Sequence, residues 1–401
     1  MHERSGLSAR PHDRDRPLSA RAPGALRLAS AGVSIVGVCY GMARYGYGLL
    51  LPDVRRDYHL GPALLGAIGT ASYAAYLAAT ALAGVFATRL GARRTAVTAG
   101  LLAAAGMAVA GVSRTTAPFV VGILVAGASA GFAFAPFADA ARAVSSAIRG
   151  RVLATINCGT GYGVALSAPI AILAGAAWHS AWLAFAVVAM LATLWAAYVL
   201  PARTDPVASG CDPTYGWRAV LCRRALPLLT GGVLVGLGSS TYWTFAVAHL
   251  TDAGALSSAT SRTFLGVVGV ASVLATLTAD LVSRLGPRRA FVATTVAEAA
   301  ALVLLALMPS SLAAAIASAI LFGTAYNATV GIQAIWSAHI FAERPSLGIS
   351  AVMAANGAGL LLGPLGAGLL AGALGLGPVL LAGAGVVAAA GLLAPREAIL
   401  A

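Results

Sequence analysis

Arg89-Leu90-Gly91-Ala92-Arg93-Arg94 returns 195 residues later as Arg284-Leu285-Gly286-Pro287-Arg288-Arg289, with five positions in six unchanged, and each copy sits between two long apolar runs. The register extends outward. Gly37-Val38, Gly41 and Tyr47 recur at the same spacing as Gly232-Val233, Gly236 and Tyr242, and Arg149 is matched by Arg344. Self-similarity at so long a period marks two homologous halves, and a pair of membrane-embedded halves places a site between them and a motion about it.

The medium follows from composition. Apolar residues make up 59% of the 401 and charged residues 10%, and the mean hydropathy is +0.86, far from the roughly 25% charged residues of soluble domains. The apolar runs are long enough, at about 1.5 Å per residue, to cross a hydrocarbon core of about 30 Å as helices. Helix is required there because backbone polar groups in lipid must be satisfied within the segment. The expected fold is an all-α membrane protein with twelve transmembrane helices in two pseudo-symmetric six-helix bundles. The spans read as residues 28–51, 63–87, 95–113, 117–141, 152–177, 180–200, 226–249, 258–282, 290–308, 312–339, 347–373 and 376–394.

Domain boundaries fall between these runs. Residues 1–25 are polar and Arg-rich with Pro11, Pro17 and Pro23, and read as a disordered tail. Residues 26–200 form the first bundle and 226–395 the second. Between them, 201–225 clusters Pro201, Asp205, Pro206, Gly210, Asp212, Pro213 and Gly216 as a linker. The first helix runs full length and is expected to end at Pro52-Asp53, so it is read as retained and not as a cleaved leader. Cys39, Cys158, Cys211 and Cys222 lack metal-ligand spacing and read as free thiols.

The net charge of +13 would suit nucleic acid if it formed one face of a soluble domain. Its distribution argues otherwise. With both termini on one side, that side receives 21 of the 26 arginines, whereas the other receives Arg55, Arg56, Arg114 and Arg262, and Arg44 lies within a helix. This is the positive-inside bias, which sets both termini in the cytoplasm and the protein, multi-pass, in the cytoplasmic membrane. The basic residues are all Arg. Without Lys there is no phosphate-loop lysine, pyridoxal Schiff base or retinal lysine, so neither ATP-driven pumping by this chain nor a resident cofactor is expected.

Gly84-Val85-Phe86-Ala87-Thr88-Arg89-Leu90-Gly91-Ala92-Arg93-Arg94 resembles the loop between helices two and three of the major facilitator superfamily, written Gly, three residues, Asp, Arg, any, Gly, any, Arg, Arg. Thr88 departs from the family's Asp, and Ser283 does so in the second copy. Within the superfamily, Gly41-Met42-Ala43-Arg44-Tyr45-Gly46-Tyr47-Gly48-Leu49-Leu50-Leu51-Pro52 is similar to the first helix of the YbfB/YjiJ-like and drug/sugar-efflux permeases. The superfamily resemblance covers residues 28–395 and implies a secondary transporter working by alternating access. It further implies a conformational lock in which Gly84, Arg89, Gly91, Arg93 and Arg94, with Arg284, Gly286 and Arg288 in the second copy, meet an acid at the end of helix four, here Asp139. A surface pair between Asp139 and Arg142 is the other reading. The arginine that many drug/proton antiporters carry in helix four is replaced by Ile123.

Arg44 stands apart because a charge within a membrane helix costs about 2.5–3.5 kcal/mol even on insertion scales. Lipid exposure is therefore disfavoured, and Tyr40, Arg44 and Tyr47 at i, i+4 and i+7 would line one internal face, with a structurally bonded Arg as the alternative. Its repeat partner is Ser239, beside Tyr242 and Trp243. Asn157, Asn327, Gln333 and Asn356 complete the candidate substrate contacts, although amides in mid-membrane also bond across helices simply to pack. Glu298 is the acid nearest a helix middle and the candidate for coupling to protons, with a lipid-side or helix-to-helix hydrogen bond as the alternative.

A different class is raised by Gly127-Ala128-Ser129-Ala130-Gly131, which satisfies the Gly-x-Ser-x-Gly string of serine hydrolases. No strand precedes it, and His179, His249 and His339 all fall at helix ends. The expectation is a non-enzymatic, monomeric transporter of a small molecule in the lipid bilayer, exporting it with inward proton movement. An importer of a small organic or inorganic anion is the alternative, and an intramembrane hydrolase a remote one.

Overall fold

Gly91 and Gly286 adopt the same backbone conformation, with φ of 80° and 76° and extended ψ of 169° and 155°. Side chains rarely take this region, so glycine at both copies lets one helix turn directly into the next. The computed structural model describes residues 24–141, 144–201, 222–254, 256–341 and 345–395. Within these, the side chains of 84–89, 138, 139 and several positions in 146–154 and 345–350 lie outside the description.

Among the described residues every regular element is helical. They are α1 (Ala25–Val36), a π-helical segment (Gly37–Arg44), α2 (Gly46–Tyr58), α3 (Pro62–Val112, bent at Gly91), α4 (Thr116–Ala133), α5 (Ala135–Ala140), α6 (Ser146–Asn157), α7 (Gly159–Ala174) and α8 (Trp178–Val199). After the linker come α9 (Leu226–Asp252), α10 (Ser258–Ala271), a 3₁₀ segment (Ser272–Leu277), α11 (Thr278–Leu285), α12 (Pro287–Leu307), α13 (Leu312–Ile340), α14 (Pro345–Leu374) and α15 (Leu376–Gly391).

Among the described residues, ten helical runs are long and apolar enough to cross a membrane. Two further expected spans differ from these for identifiable reasons. In α9 the run Ser239-Ser240-Thr241-Tyr242-Trp243-Thr244 lowers the hydropathy of a 27-residue helix, yet all six residues are buried. α15 has 16 residues.

Several expected boundaries move. The first helical run does not end at Pro52-Asp53 but continues to Tyr58, because Pro52 removes one backbone donor while the rest of the ladder carries on. The fourth span breaks at Phe134, just before Pro136, leaving α5 as a short extension. The fifth breaks at Cys158 and finishes at Ala174, ahead of the expected 177. The eighth passes through the 3₁₀ segment before α11. The N-terminal tail before residue 24 and linker positions 202–221 lie outside the described residues.

The helices before the linker meet those after it along three seams: α3 on α14, α7 on α10, and α2 on α9. A side chain at Gly48 would put Cβ 2.2 Å from the Trp243 carbonyl oxygen, and one at Gly66 would put it 2.2 Å from that of Pro364. On the α3–α14 seam the Thr70 hydroxyl donates to the Leu361 carbonyl at 2.8 Å and accepts from the Leu365 N–H at 3.0 Å. It thereby stands inside an i to i−4 pair next to Pro364, where a helix ladder is already interrupted.

Ion pairs join α2 to α10 and to α9 on the face where α2 ends, opposite the Gly91 and Gly286 turns. The Arg262 guanidinium donates to Asp53 Oδ2 at 2.7 Å and to the carbonyls of Ala171 and Gly175 at 2.6 and 3.1 Å. Arg56 donates to the other Asp53 oxygen at 3.0 Å. Arg55 pairs with Asp252 nearby.

Candidate functional site

Arg44 closes the π-helical segment, in which the Tyr45 N–H donates to the Tyr40 carbonyl five residues back at 3.1 Å. Widening the turn rotates the residues that follow, a distortion common where a helix builds a site. Arg44 is 8% exposed, and its guanidinium is ringed by four tyrosines. Its central carbon lies 4.1 Å from the Tyr76 ring centroid, 4.4 Å from Tyr73, 5.4 Å from Tyr40 and 5.6 Å from Tyr45. Cation–π attraction offsets part of the cost of burying the charge, by about 2 kcal/mol for a desolvated contact. Hydrogen bonding does not complete the task, because Nε and Nη2 are buried without a partner.

Tyr47 does not join this cage. The i, i+7 expectation assumed an unbroken α-helix, and the π turn brings Tyr45 into that role while Tyr47 donates its hydroxyl to the Leu65 carbonyl at 2.8 Å. Tyr73 and Tyr76, which the sequence reading missed, come from α3. Their sequence signal is a pair of tyrosines at i, i+3 in an otherwise small-residue apolar run.

The cage continues across the α2–α9 seam. Tyr45 stacks on Trp243 with ring centroids 4.0 Å apart, and Trp243 meets Phe322 and Tyr326 edge-on at 5.3 and 5.7 Å. Tyr242 turns the other way. It stacks on Phe322 at 3.7 Å and shares a 2.8 Å hydrogen bond with Ser318, a packing position within the C-terminal helices.

The amides separate into different places. Asn356 Nδ2 donates to Gln333 Oε1 at 2.8 Å, and this buried pair retains an unpartnered acceptor, Asn356 Oδ1, and donor, Gln333 Nε2. Asn327 donates to the Gly323 carbonyl of its own helix at 3.1 Å. Asn157 ends α6 with an exposed side chain, apart from the buried cage.

Glu298 is fully buried, which removes the lipid-side reading. Ser239, the repeat partner of Arg44, donates its hydroxyl to Glu298 Oε1, and Oε2 has no partner. Ser129 is also fully buried and donates to the Ala126 carbonyl at 2.6 Å in its own helix. Of the expected lock, the side chains of Gly84, Arg89 and Asp139 fall outside the description; Arg93 is partly exposed, and Arg94, Arg284 and Arg288 are exposed.

These features belong to a multi-pass integral membrane transporter of small molecules. The chain is a member of the family described as uncharacterised MFS-type transporter YbfB, whose model matches residues 36–395. No curated protein sequence matches it. Among solved structures it is similar to a mutant form of the nucleoside transporter NupG at 15% identity with a TM-score of 0.75, covering 92% of this chain and 98% of that one. A second NupG structure gives 17% identity and a TM-score of 0.72, covering 92% and 97%. A bacterial homolog of the human lysosomal transporter Spinster, described as inward-facing and unoccupied, gives 12% identity and a TM-score of 0.70, covering 91% and 94%. At these identities the likeness is one of fold.

Proposed function

We propose that the chain is a twelve-span secondary transporter whose two halves, 26–200 and 226–395, rock about the Arg44 region to export a small organic molecule in exchange for protons moving inward. The observation that carries this reading is Arg44 itself. A charge buried between helices with two unused donors is costly to maintain, and a bound molecule that supplies acceptors offsets that cost. The Tyr45–Trp243 stack supports placing the site between the halves, where rocking would expose it to each side in turn.

Glu298 is the proposed proton carrier. A buried carboxyl with one free oxygen beside Ser239 suits a group that gains and loses a proton as the helices around it shift. The arginine bias supports cytoplasmic termini and the cytoplasmic membrane. With that orientation the Asp53–Arg262 and Arg55–Asp252 pairs close the external face. At the cytoplasmic face Arg89 and Arg93 would pair with Asp139 in the alternate state.

One observation favours anion import as a second reading, namely that Arg44 faces no carboxylate of its own among the described residues. Vesicles containing the protein, given an imposed pH gradient and a panel of metabolites and drugs, separate the two. Accumulation driven by a proton gradient in the export direction supports the first reading. Gradient-independent entry of acids alone replaces it with the second.

A further inference from the structure

The two unpartnered atoms of Arg44 are not a random pair. Nε and Nη2 are the two donors along one edge of the guanidinium. Its carbon sits 4.1 and 4.4 Å from the ring centroids of Tyr76 and Tyr73, so aromatic rings pack against the guanidinium. Two parallel N–H groups on a planar fork match the two oxygens of a carboxylate, a geometry that a neutral carbonyl fills only by half.

Charge accounting narrows the ligand further. Among the described residues neither buried acid pairs with Arg44: Asp53 is held by Arg262 and Arg56, and Glu298 accepts from Ser239. The other buried arginine, Arg262, spends its donors on Asp53 and on the carbonyls of Ala171 and Gly175. The cage therefore offers one uncompensated positive charge. A single negative charge neutralises it, whereas a phosphate monoester, at about −1.5 to −2, would leave excess charge buried. The Tyr45–Trp243 stack, with Phe322 and Tyr326 edge-on to Trp243, makes the surroundings of the cage aromatic and suits an apolar or aromatic body.

We propose that the Nε/Nη2 edge of Arg44 is a two-point receptor for one carboxylate, and that the transported molecules are organic monocarboxylates with an apolar or aromatic body. This rests on the reading of Arg44 as the substrate contact and adds the chemical class to it.

The test uses the purified full chain and its thermal unfolding in the presence of benzoate, benzamide, phenyl phosphate, hexanoate and hexanamide. The acids should raise the midpoint by about 3 °C or more at saturating concentration, and the amides and phenyl phosphate should do so far less. Arg44→Lys, which keeps the charge but loses the planar pair of donors, should weaken the acids about tenfold relative to the parent. Arg44→Gln should abolish their effect, and the exposed Arg114→Gln, with the same charge change, should not. If Arg44→Gln yields no folded protein, the parental ligand series and Arg44→Lys still decide.

Protection by amides equal to that by acids, stronger protection by phenyl phosphate, no protection by any acid, or an unchanged response in Arg44→Lys would each overturn the proposal. Transport is read separately, in vesicles. An acid that binds through Arg44 but does not cross leaves the receptor standing and removes the transport reading. Transport of a neutral compound that is indifferent to Arg44→Lys does the reverse.

Discussion

Asp53 and Arg262 meet across 209 positions of sequence, Oδ2 to Nη2 at 2.7 Å, with both side chains almost closed off from solvent. The pair joins α2 to α10 at one end of the seam, and Arg262 also reaches two carbonyls at the end of α7. Removing one member of a buried pair commonly costs about 3–5 kcal/mol because the other is left uncompensated. Here the cost should fall on the closed conformer, since parting the halves exposes both groups to water.

Arg262→Gln should therefore loosen the proposed external closure more than it unfolds the protein. A cysteine placed at the buried Ala248 should react with an externally added impermeant thiol reagent about tenfold faster in this variant than with Arg262 intact. Equal rates would show that the ion pair does not control closure.

Gly48→Ala tests the same closure without touching charge. The new Cβ would sit 2.2 Å from the Trp243 carbonyl oxygen, a backbone atom that cannot rotate away. Overpacking of this kind costs about 1–3 kcal/mol. The expected outcome is a shift toward externally open protein, seen as faster labelling at Ala248→Cys with little change in the amount of protein in the membrane.

Glu298→Gln keeps the size and an acceptor for the Ser239 hydroxyl while removing the exchangeable proton. In vesicles, uphill movement driven by a pH gradient should fall to the level seen without a gradient, while downhill exchange of substrate persists. Persistence of gradient-driven accumulation would remove Glu298 from coupling.

Asp139→Asn addresses the opposite face. If Arg89 and Arg93 close the cytoplasmic side against Asp139, the variant should lower the population of the externally open conformer while folding is retained. Thiol labelling from both sides is the measurement, and unchanged accessibility would count against the lock.

Reporter fusions at Asp205 and His179 check the sidedness that gives these faces their names. The arginine bias predicts a cytoplasmic signal at Asp205 and an external one at His179.

The all-helical, membrane-spanning character was legible because it depends on hydropathy, a quantity written directly in the chain. Gly91 and Gly286 were identified as equivalent from their neighbours, and they share one backbone turn. The site was legible only in its centre. Arg44 stands out because charge is rare in such a helix, but its neighbours depend on a π turn that no local pattern announces, so helical periodicity points to Tyr47 where Tyr45 belongs. Tyr73 and Tyr76 reach the site from another helix, and single-sequence periodicity carries no information about which faces meet. Glu298 was visible as an acid, whereas its bond to Ser239, the very position that repeats Arg44, required the packing of α9 on α12.

Thr70 would give the proposed rocking motion a local mechanical partner. Its hydroxyl stands between the Leu365 N–H and the Leu361 carbonyl, one turn of α14 beside Pro364 that is bridged by a side chain from α3. When the halves part, the hydroxyl withdraws and donor and acceptor are free to find each other within α14. The exchange trades two contacts between helices for one inside a helix and a hydroxyl that can turn back to the Gly66 carbonyl of its own helix, so separation breaks few hydrogen bonds in total. A closed Leu365–Leu361 bond would then accompany the open seam, and that one turn of α14 would report which side of the membrane the transporter faces.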